Sequence, residues 1–330
     1  MFTMPYNNVI LTLLVICWLC SMGNSASIAS KIPIQSHIIG GYKNSLTKKN
    51  DISKLDCSQF NNDYDVLQQF PFPVLLNPIR HLYNQSTATM DENNIFVKKI
   101  YINEEEVVPL SVFCLSKLDK LSIVMTPFEN DIVPDALLNL KLLSAFWIYD
   151  SSILKIPEQL GTLNNLGTLI FDNCSLTHFP NLSKLENLWI IEVRNNPLSV
   201  IDGFPDVMLM DLRNNLFDEI PIVKKREALE TIAMDNNPLK NIESITSYIN
   251  LEHLYLSNTT LKFIPSSIGK LQKLTHLDLS HNQLSHIPKS ILDLPRLEYL
   301  NIENTLLSTE DIQSIEKAFR TFHPNATLII

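Results

Sequence analysis

The chain has 330 residues, a formal net charge of −9 at pH 7 and only 7 glycines. The negative charge argues against DNA or RNA as the main partner, because affinity for a phosphate backbone comes from lysine and arginine. The sequence contains no G-x-G-x-x-G, Walker or nucleophile-elbow motif. It therefore lacks the usual signatures of nucleotide-binding proteins and α/β hydrolases.

The amino terminus has the pattern of a secretion signal. Residues 9–20 are mostly apolar, and the small residues Gly23 and Ser25 would permit cleavage before Ala26. This run suits the apolar core of a signal peptide and is short for a membrane span, although the first ten residues contain no Lys or Arg. We therefore predict a signal peptide over residues 1–25, secretion, and no stable membrane span. A retained signal anchor in the membrane and a cytoplasmic protein are the alternatives.

Residues 26–93 are predicted to form a flexible segment followed by an N-terminal cap. Residues 26–54 are polar and lysine-bearing, and the basic stretch 43–54 also contains Asp51. That mixture favours a solvated linker over a nucleic-acid patch. Apolar residues return over 56–83, interrupted by Pro71 and Pro73. This pattern predicts a short helix and turns that cover the first strand of the region that follows.

The rest of the chain repeats one pattern of apolar residues. Its clearest copy has apolar residues at fixed offsets, a turn residue and a closing proline: Leu271, Leu274, Leu277, Leu279, Asn282, Leu284, Ile287 and Pro288. Nine copies, about 19 to 25 residues apart, begin at Leu115, Leu140, Leu163, Leu185, Phe204, Arg226, Tyr248, Leu271 and Leu294. A looser copy begins near Asn94. Such spacing is typical of a repeat protein in which each copy stacks on its neighbours.

The pattern resembles the leucine-rich-repeat family in the form L-x-x-L-x-x-L-x-L-x-x-N-x-L-x-x-L-P, with typical repeats of about 22–24 residues, secreted type. The resemblance covers residues 94–330. It implies an α/β fold: a curved horseshoe solenoid with a parallel concave sheet, an irregular or short-helical convex side, and a cap at each end. The repeats occupy 94–307. In the C-terminal cap, 308–330, Ser308 or Thr309 begins a helix, and 326–330 forms a final strand.

The offsets within a copy have physical causes. Leu277 and Leu279 alternate with polar residues, as in a strand with one buried face. The following turn position, which we name the Asn slot, is expected to bury a small polar side chain that bonds to the turn backbone. The slot residues are Thr126, Ser151, Cys174, Asn196, Asn215, Asn237, Thr259, Asn282 and Thr305.

Binding by a solenoid is expected at the outward strand positions. The candidate ligand-binding residues on this concave face are Trp147, Tyr149, Ile170, Asp172, Glu192, Arg194, Asp211, Arg213, Asp235, His253, Tyr255, His276, Asp278 and Tyr299. Trp147 and Tyr149 are the strongest candidates for a hot spot, since large aromatic side chains carry much interface energy. The alternative for them is ordinary surface packing. Four charged residues on adjacent strands either pair with each other or contact a partner: Glu192, Arg194, Asp211 and Arg213.

The histidines do not indicate a metal site. His276, His281 and His286 cannot converge, because the last two belong to the turn and the convex side. A cluster of His253, His276 and Asp278 is geometrically possible on the concave face, but no fixed set of acid, base and nucleophile accompanies it. We predict no catalytic residue, no metal, no cofactor and no enzymatic activity.

The cysteines and sequons suggest covalent features that a secreted chain would have. Cys57 and Cys114 flank the N-terminal cap and could form a disulfide in an oxidising compartment; two free buried thiols are the alternative. Sequons of the form N-x-S/T occur at Asn84, Asn173, Asn181, Asn258 and Asn325. If the chain is secreted by a eukaryote, we expect glycosylation at Asn84 and Asn258.

The resemblance implies protein binding as the function. The favoured hypothesis is a secreted, non-catalytic recognition protein that holds a protein or peptide partner on its concave face, in an immune, adhesion or host-interaction setting. One alternative is an intracellular scaffold or regulator of signalling, because copies such as 264–269 and 287–291 are similar to cytosolic repeat proteins. The other alternative is an inhibitor of a secreted enzyme.

Overall fold

The computed structural model describes residues 38–41, 55–78 and 85–330. The predicted signal peptide, the basic stretch 43–54 and the sequon at Asn84 lie outside the described residues. Within these ranges the chain forms one fourteen-stranded sheet, and the strands follow one another in the order of the sequence. This order is what stacking of successive copies produces.

The strands recur at the predicted offset of each copy. The first four belong to the N-terminal cap and the degenerate copy: β1 (Ile38–Gly40), β2 (Pro73–Leu76), β3 (Thr87–Met90) and β4 (Val97–Asn103). Nine strands follow, one in each clear copy: β5 (Lys120–Val124), β6 (Ala145–Tyr149), β7 (Thr168–Asp172), β8 (Ile190–Arg194), β9 (Leu209–Asp211), β10 (Thr231–Ala233), β11 (His253–Tyr255), β12 (His276–Asp278) and β13 (Tyr299–Asn301). The last strand is β14 (Thr327–Ile329).

Strands β4 to β14 are parallel and pair residue for residue. Leu254 in β11 pairs with Leu277 in β12, which pairs with Leu300 in β13. Parallel neighbours need a crossover connection. Short 3-10 turns contribute to the crossovers, as at Ser266–Lys270 directly after Pro265. The predicted solenoid, with strands on one side and short helical turns on the other, is confirmed.

The inward side chains of the copies form one continuous core. Leu254, Leu277 and Leu300 have no exposed surface. Aromatic rings connect copies, since Phe171 packs edge-to-face against Phe146 and Phe179 with ring centroids 5.5 and 5.3 Å apart. One copy alone could not bury these side chains, so each copy is stabilised by the two beside it.

Eight of the nine side chains of the Asn slot are buried, whereas Thr305 is half-buried. Asn196 Oδ1 accepts from the backbone N–H groups of Cys174 and Leu176 in the preceding copy, at 3.1 and 3.0 Å. Its Nδ2 donates to the carbonyl oxygens of Phe171 and Arg194, at 3.0 and 2.6 Å. Cys174 fills the slot of its own copy, and burial raises the pKa of its thiol to about 12. A thiol with so high a pKa is not a nucleophile at neutral pH.

The N-terminal cap contains strands that the sequence does not predict. β1 lies within the segment expected to be flexible, and it pairs antiparallel with β2. β3 pairs antiparallel with β4, so the sheet is mixed at this end and not wholly parallel. These strands have three or four residues each. They are too short to show the alternation of polar and apolar residues on which a prediction depends.

A short helix and a disulfide secure the cap. The predicted helix is α1 (Asp63–Gln68). The buried carboxylate of Asp63 accepts from the backbone N–H of Val97 in β4 at 2.7 Å, which ties the helix to the first repeat. Cys57 and Cys114 form a disulfide between the start of the cap and the turn before β5. Of the two alternatives for this pair, the structure has the bonded one.

The C-terminal cap is the predicted helix followed by a strand. The Ser308 hydroxyl accepts from the backbone N–H of Asp311 at 3.0 Å and begins α2 (Thr309–Phe322). Phe319 is fully buried in the core, whereas Phe322 in the same helix is 61% exposed. β14 then pairs with β13 and covers its edge. Among the described residues, no helix combines the length and the apolar character needed to cross a membrane.

Candidate functional site

The outward side chains of β4–β13, with the residues directly flanking each strand, form what we call the sheet face. Because the strands pair in register, these side chains lie in rows that run across the strands. Trp147 in β6 lies beside Ile170, which lies beside Glu192. Every predicted ligand-binding residue falls within one of these strands or within two residues after it. The structure therefore brings the predicted residues together on one surface, although their exposure differs.

Five of the predicted contact residues are buried and not exposed: Ile170, Glu192, Asp211, Asp278 and Tyr299. Neighbouring strands are only about 4.8 Å apart, so side chains in a row pack against each other and shield one another from water. Trp147 and Tyr149 are half-buried. The Nε1 donor of Trp147 has no hydrogen-bond partner among the described residues. The predicted hot spot thus keeps some exposed ring surface, whereas the Trp147 Nε1 donor is buried without a partner.

The charged residues of the middle repeats pair with one another. Arg194 Nη2 lies 2.8 Å from Asp172 Oδ2 and 3.4 Å from Glu192 Oε2. Arg213 Nη2 lies 2.7 Å from Asp211 Oδ2. Glu192 and Asp211 have no exposed surface. Because of this burial, loss of one partner would leave an uncompensated buried charge.

This network contains more acid than base. Four carboxylates accompany two guanidinium groups; they belong to Asp172, Glu192, Asp211 and Asp235. Both carboxylate oxygens of Glu192 are buried without a hydrogen-bond donor among the described residues. Burial raises the pKa of Glu192, and burial raises the pKa of Asp235 to about 7. Desolvation disfavours the charged form of an acid, so burial favours the protonated form of both carboxylates.

A row of rings crosses the last repeats. His253, His276 and Tyr299 pair in register on β11, β12 and β13. Successive ring centroids along this row are 4.9 and 5.8 Å apart. Burial lowers the pKa of both histidines, and the neighbouring His276 lowers that of His253 further. Both shifts favour the neutral form of the imidazoles.

The turn histidines lie outside this row. His281 and His286 are exposed in the segment that follows β12. Asp278 is engaged elsewhere, because its Oδ1 accepts from the backbone N–H and the hydroxyl of Ser280 at 2.9 and 2.7 Å. Nowhere in the part of the chain that the structure describes do three His, Cys, Asp or Glu side chains form a group that could hold a metal ion.

A second ladder of asparagines lies one position before the Asn slot, and the sequence analysis missed it. Asn173, Asn195, Asn214, Asn236 and Asn258 all have φ between 52° and 58°. Asn214 Nδ2 donates to Asn195 Oδ1 at 2.7 Å, and Asn236 Nδ2 donates to Asn214 Oδ1 at 2.6 Å. Asparagine tolerates the left-handed region better than most residues. Asn-Asn pairs mark three of these positions in the sequence, but they do not reveal the left-handed backbone on which the ladder depends.

The ladder bears on the predicted glycosylation at Asn258. This side chain is exposed. Its Nδ2, the nitrogen that a glycan would modify, donates to Asn236 Oδ1 at 2.8 Å. Modification would therefore have to keep or replace that hydrogen bond, and glycosylation at Asn258 stays a prediction.

The first strands of the sheet face were also missed. Lys99 and Tyr101 in β4, followed by Lys120 in β5, continue the rows of β6. Burial lowers the pKa of Lys120, and the charge of Lys99 lowers it further. Polar and apolar residues alternate in the sequence of β4. Because this copy matches the repeat only loosely, its register with the later strands could not be recognised. The sheet face therefore begins with basic residues.

Comparison with known proteins identifies the repeat. A family model described as leucine rich repeat matches residues 227–284 and 249–307. Among curated proteins, none matches this chain.

Solved structures identify the fold. The leucine-rich-repeat ectodomain of the plant membrane receptor kinase GASSHO1/SCHENGEN3 from Arabidopsis thaliana, in complex with CASPARIAN STRIP INTEGRITY FACTOR 2, is 23% identical, with a TM-score of 0.53. That match covers 72% of this chain and 30% of the ectodomain. The leucine-rich repeat domain of APL1B is 20% identical, with a TM-score of 0.52, and the match covers 62% of this chain and 60% of that one.

A third structure, the TLR13–ssRNA13 complex, is 18% identical, with a TM-score of 0.50. The match covers 68% of this chain and 34% of that chain. This chain thus spans less than two thirds of the length of each of the three proteins. At these identities the likeness shows the fold alone.

Proposed function

Because the chain is a leucine-rich-repeat protein, we propose that it is a secreted, non-catalytic recognition protein that holds a protein or peptide partner on the sheet face. The observation that carries the proposal is the register of β4–β13, which presents rows of outward side chains on one continuous surface. Solenoids use such extended surfaces for binding. The Arabidopsis ectodomain of similar fold is in complex with another factor, which supports a protein or peptide as the partner class.

Two features support secretion. The apolar run 9–20 and the small residues Gly23 and Ser25 have the form of a signal peptide. The Cys57–Cys114 disulfide suits an oxidising compartment, because cytosolic reductants keep most thiols reduced. An immune, adhesion or host-interaction setting is part of the same proposal. The disulfide weighs against the intracellular scaffold.

The proposed anchor is the aromatic pair of β6. Trp147 and Tyr149 are half-buried, so their rings are held by neighbours and still present surface. A rigid aromatic side chain loses little entropy on binding and contributes much of the energy of an interface.

The test is capture of a partner from the native fluid by the mature chain, residues 26–330. We expect a protein or peptide to be retained, and Trp147→Ala with Tyr149→Ala to weaken its affinity at least tenfold. Phe263→Ala is the matched control, because Phe263 is 48% exposed and lies in the crossover between β11 and β12, away from the sheet face. The control is expected to leave affinity unchanged, and all variants are compared by thermal melting.

Three results would overturn parts of the proposal. Unchanged affinity in the double variant with normal melting would move the anchor away from β6. Recovery of RNA in place of protein would overturn the partner class, as the TLR13–ssRNA13 complex illustrates for this fold. N-terminal sequencing that finds residues 1–25 intact on a cytosolic protein would overturn secretion.

A further inference from the structure

The sequon at Asn181 lies in the crossover between β7 and β8. Asn181 directly follows a proline, as does the 3-10 turn Ser266–Lys270 of a later copy. It is therefore on the convex side of the solenoid, which carries the turns, and not on the sheet face. Asn181 is exposed, whereas Leu182, the next residue, has no exposed surface. The buried leucine holds the sequon in place on the surface.

Hydrogen bonds within the sequon fix the orientation of the Asn181 amide. Asn181 Oδ1 accepts from the backbone N–H of Ser183 at 3.0 Å and from the Ser183 hydroxyl at 2.7 Å. The amide oxygen thus takes both donors that Ser183 offers. Asn181 Nδ2 donates to no atom of the described residues. A sugar bonded to this nitrogen would therefore break no hydrogen bond of the folded chain.

A glycine stands beside Asn181 in the next copy. Asn181 and Gly203 each lie seven residues after the slot residue of their copy, Cys174 and Asn196. A Cβ at Gly203 would overlap both Oδ1 and Nδ2 of Asn181. The φ of Gly203 is 58°, in the left-handed region that glycine adopts readily. Any other residue at position 203 would displace the amide, so glycine keeps the surroundings of Asn181 free of a neighbouring side chain.

The other described sequons lack this combination of features. Asn173 Nδ2 donates to Asp150 Oδ1 at 2.8 Å, and Asn258 Nδ2 donates to Asn236 Oδ1 at 2.8 Å. Modification at either place would replace a proton on a nitrogen that already bonds to the neighbouring copy. At Asn325 the threonine of the sequon makes no hydrogen bond to the asparagine among the described residues.

From this arrangement we propose that Asn181 is an N-glycosylation site, and that its glycan covers the convex side of the middle copies. The inference rests on the secretion part of the proposed function, in a eukaryotic cell. The sugar donor is an oligosaccharide joined to a lipid through a diphosphate. Its anomeric carbon bonds to Asn181 Nδ2 as the bond to the diphosphate oxygen breaks. The diphosphate leaves with that electron pair, and Nδ2 loses one proton. Such a glycan is bulky and polar, and at this place it leaves the sheet face open to a partner.

The first experiment secretes the chain from cultured animal cells, with residues 1–25 either native or replaced by the signal peptide of an established secreted protein. Peptide N-glycosidase in isotope-labelled water converts a glycosylated asparagine into labelled aspartate, which mass spectrometry locates in the chain. We expect the label at residue 181 in most secreted molecules. Ser183→Thr keeps the hydroxyl and should keep the label, whereas Ser183→Ala should lose it. Secreted chain without the label at residue 181 would overturn the inference.

The second experiment tests the side on which the glycan lies. Ser183→Thr and Ser183→Ala differ in the glycan and in one hydroxyl outside the sheet face. We expect both to bind the captured partner as the native chain does, while Trp147→Ala with Tyr149→Ala in the glycosylated chain weakens binding at least tenfold. If loss of the glycan in Ser183→Ala changes the affinity tenfold in either direction, the glycan reaches the partner and its assigned place on the convex side is wrong.

The two signal sequences separate this inference from the proposed function. If only the chain with the replaced signal is secreted, and it carries the label at residue 181, the site stands and secretion by residues 1–25 is wrong. If both chains are secreted without the label at residue 181, the site is wrong and the recognition function stands.

Discussion

Single side chains in the Asn slot replace backbone partners in the turns of this protein. Asn282 Oδ1 accepts from the backbone N–H groups of Thr259 and Leu261, at 3.1 and 3.0 Å. Its Nδ2 donates to the carbonyl oxygens of Leu256 and Leu279, at 2.7 and 3.0 Å. One amide therefore satisfies buried groups in two successive copies.

Replacing Asn282 with alanine is expected to lower the free energy of unfolding by roughly 1–3 kcal/mol, because buried donors and acceptors lose their partner. Urea unfolding at equilibrium measures the change. Gln283→Ala is the matched control, since Gln283 is the next residue and is exposed. If both variants unfold at the same urea concentration, the slot does not have the stabilising role assigned to it.

The Asn slot could be predicted from the sequence, whereas the second ladder of asparagines, one position before it, could not. The leucines around the slot fix its position in each copy, so even residues other than Asn could be assigned to it. Thr126 and Cys174 are two of these, and both are fully buried. Positions such as Asn195 and Asn214 depend on a backbone conformation with positive φ. That conformation becomes evident only when the turn is seen, because asparagine also occurs in many right-handed turns.

At the scale of elements, a strand could be predicted where strands of similar repeat copies lie on both sides of it. Strands β5–β13 follow one set of offsets because each must match the register of the copies beside it. The cap strands β1, β2 and β3 have no repeat to match. Their pairing is fixed by contacts that the repeat does not impose, such as those of β1 with α1 and of β3 with β4. Such contacts leave no periodic trace in the sequence.

The disulfide gives the cap a stability that can be tested. Cys57 and Cys114 are 57 residues apart. Closing a loop of that length stabilises by about 4 kcal/mol in the chain-entropy model. Replacing both cysteines with serine is expected to open the cap first. Hydrogen exchange should therefore accelerate in α1 while β8, several copies away, keeps its protection.

Reduction of the native protein with dithiothreitol is the matched control for this experiment. Cys174 is the remaining described cysteine and is buried without a disulfide. The reductant is therefore expected to reproduce the exchange pattern of the double serine variant. Uniform acceleration along all copies would show that the disulfide supports the whole array and not the cap.

At the scale of the molecule, the sheet face changes character from end to end. It begins with Lys99 and Lys120, passes through a buried ion-pair network and ends in the row of rings formed by His253, His276 and Tyr299. The sequence predicted which residues share this face, because register follows from the repeat. It could not predict that Glu192 is fully buried, since exposure depends on the lengths of side chains in neighbouring copies.

The ends of the array determine how its stability is distributed. Each copy contacts only the copies beside it, so a defect at one end propagates through successive interfaces. Phe319 in α2 is fully buried in the core. Phe319→Ala is expected to cost about 3–5 kcal/mol, the usual range for a buried phenylalanine. The effect should be greatest at β13 and fade toward β8.

Hydrogen exchange resolved by residue measures this gradient. Phe322→Ala is the matched control, because Phe322 is 61% exposed in the same helix and its loss creates no cavity. We expect the control to match the native protein along all strands. Faster exchange at β5 and β13 alike in Phe319→Ala would mean that the array unfolds as one cooperative unit, and local propagation from the cap would then be wrong.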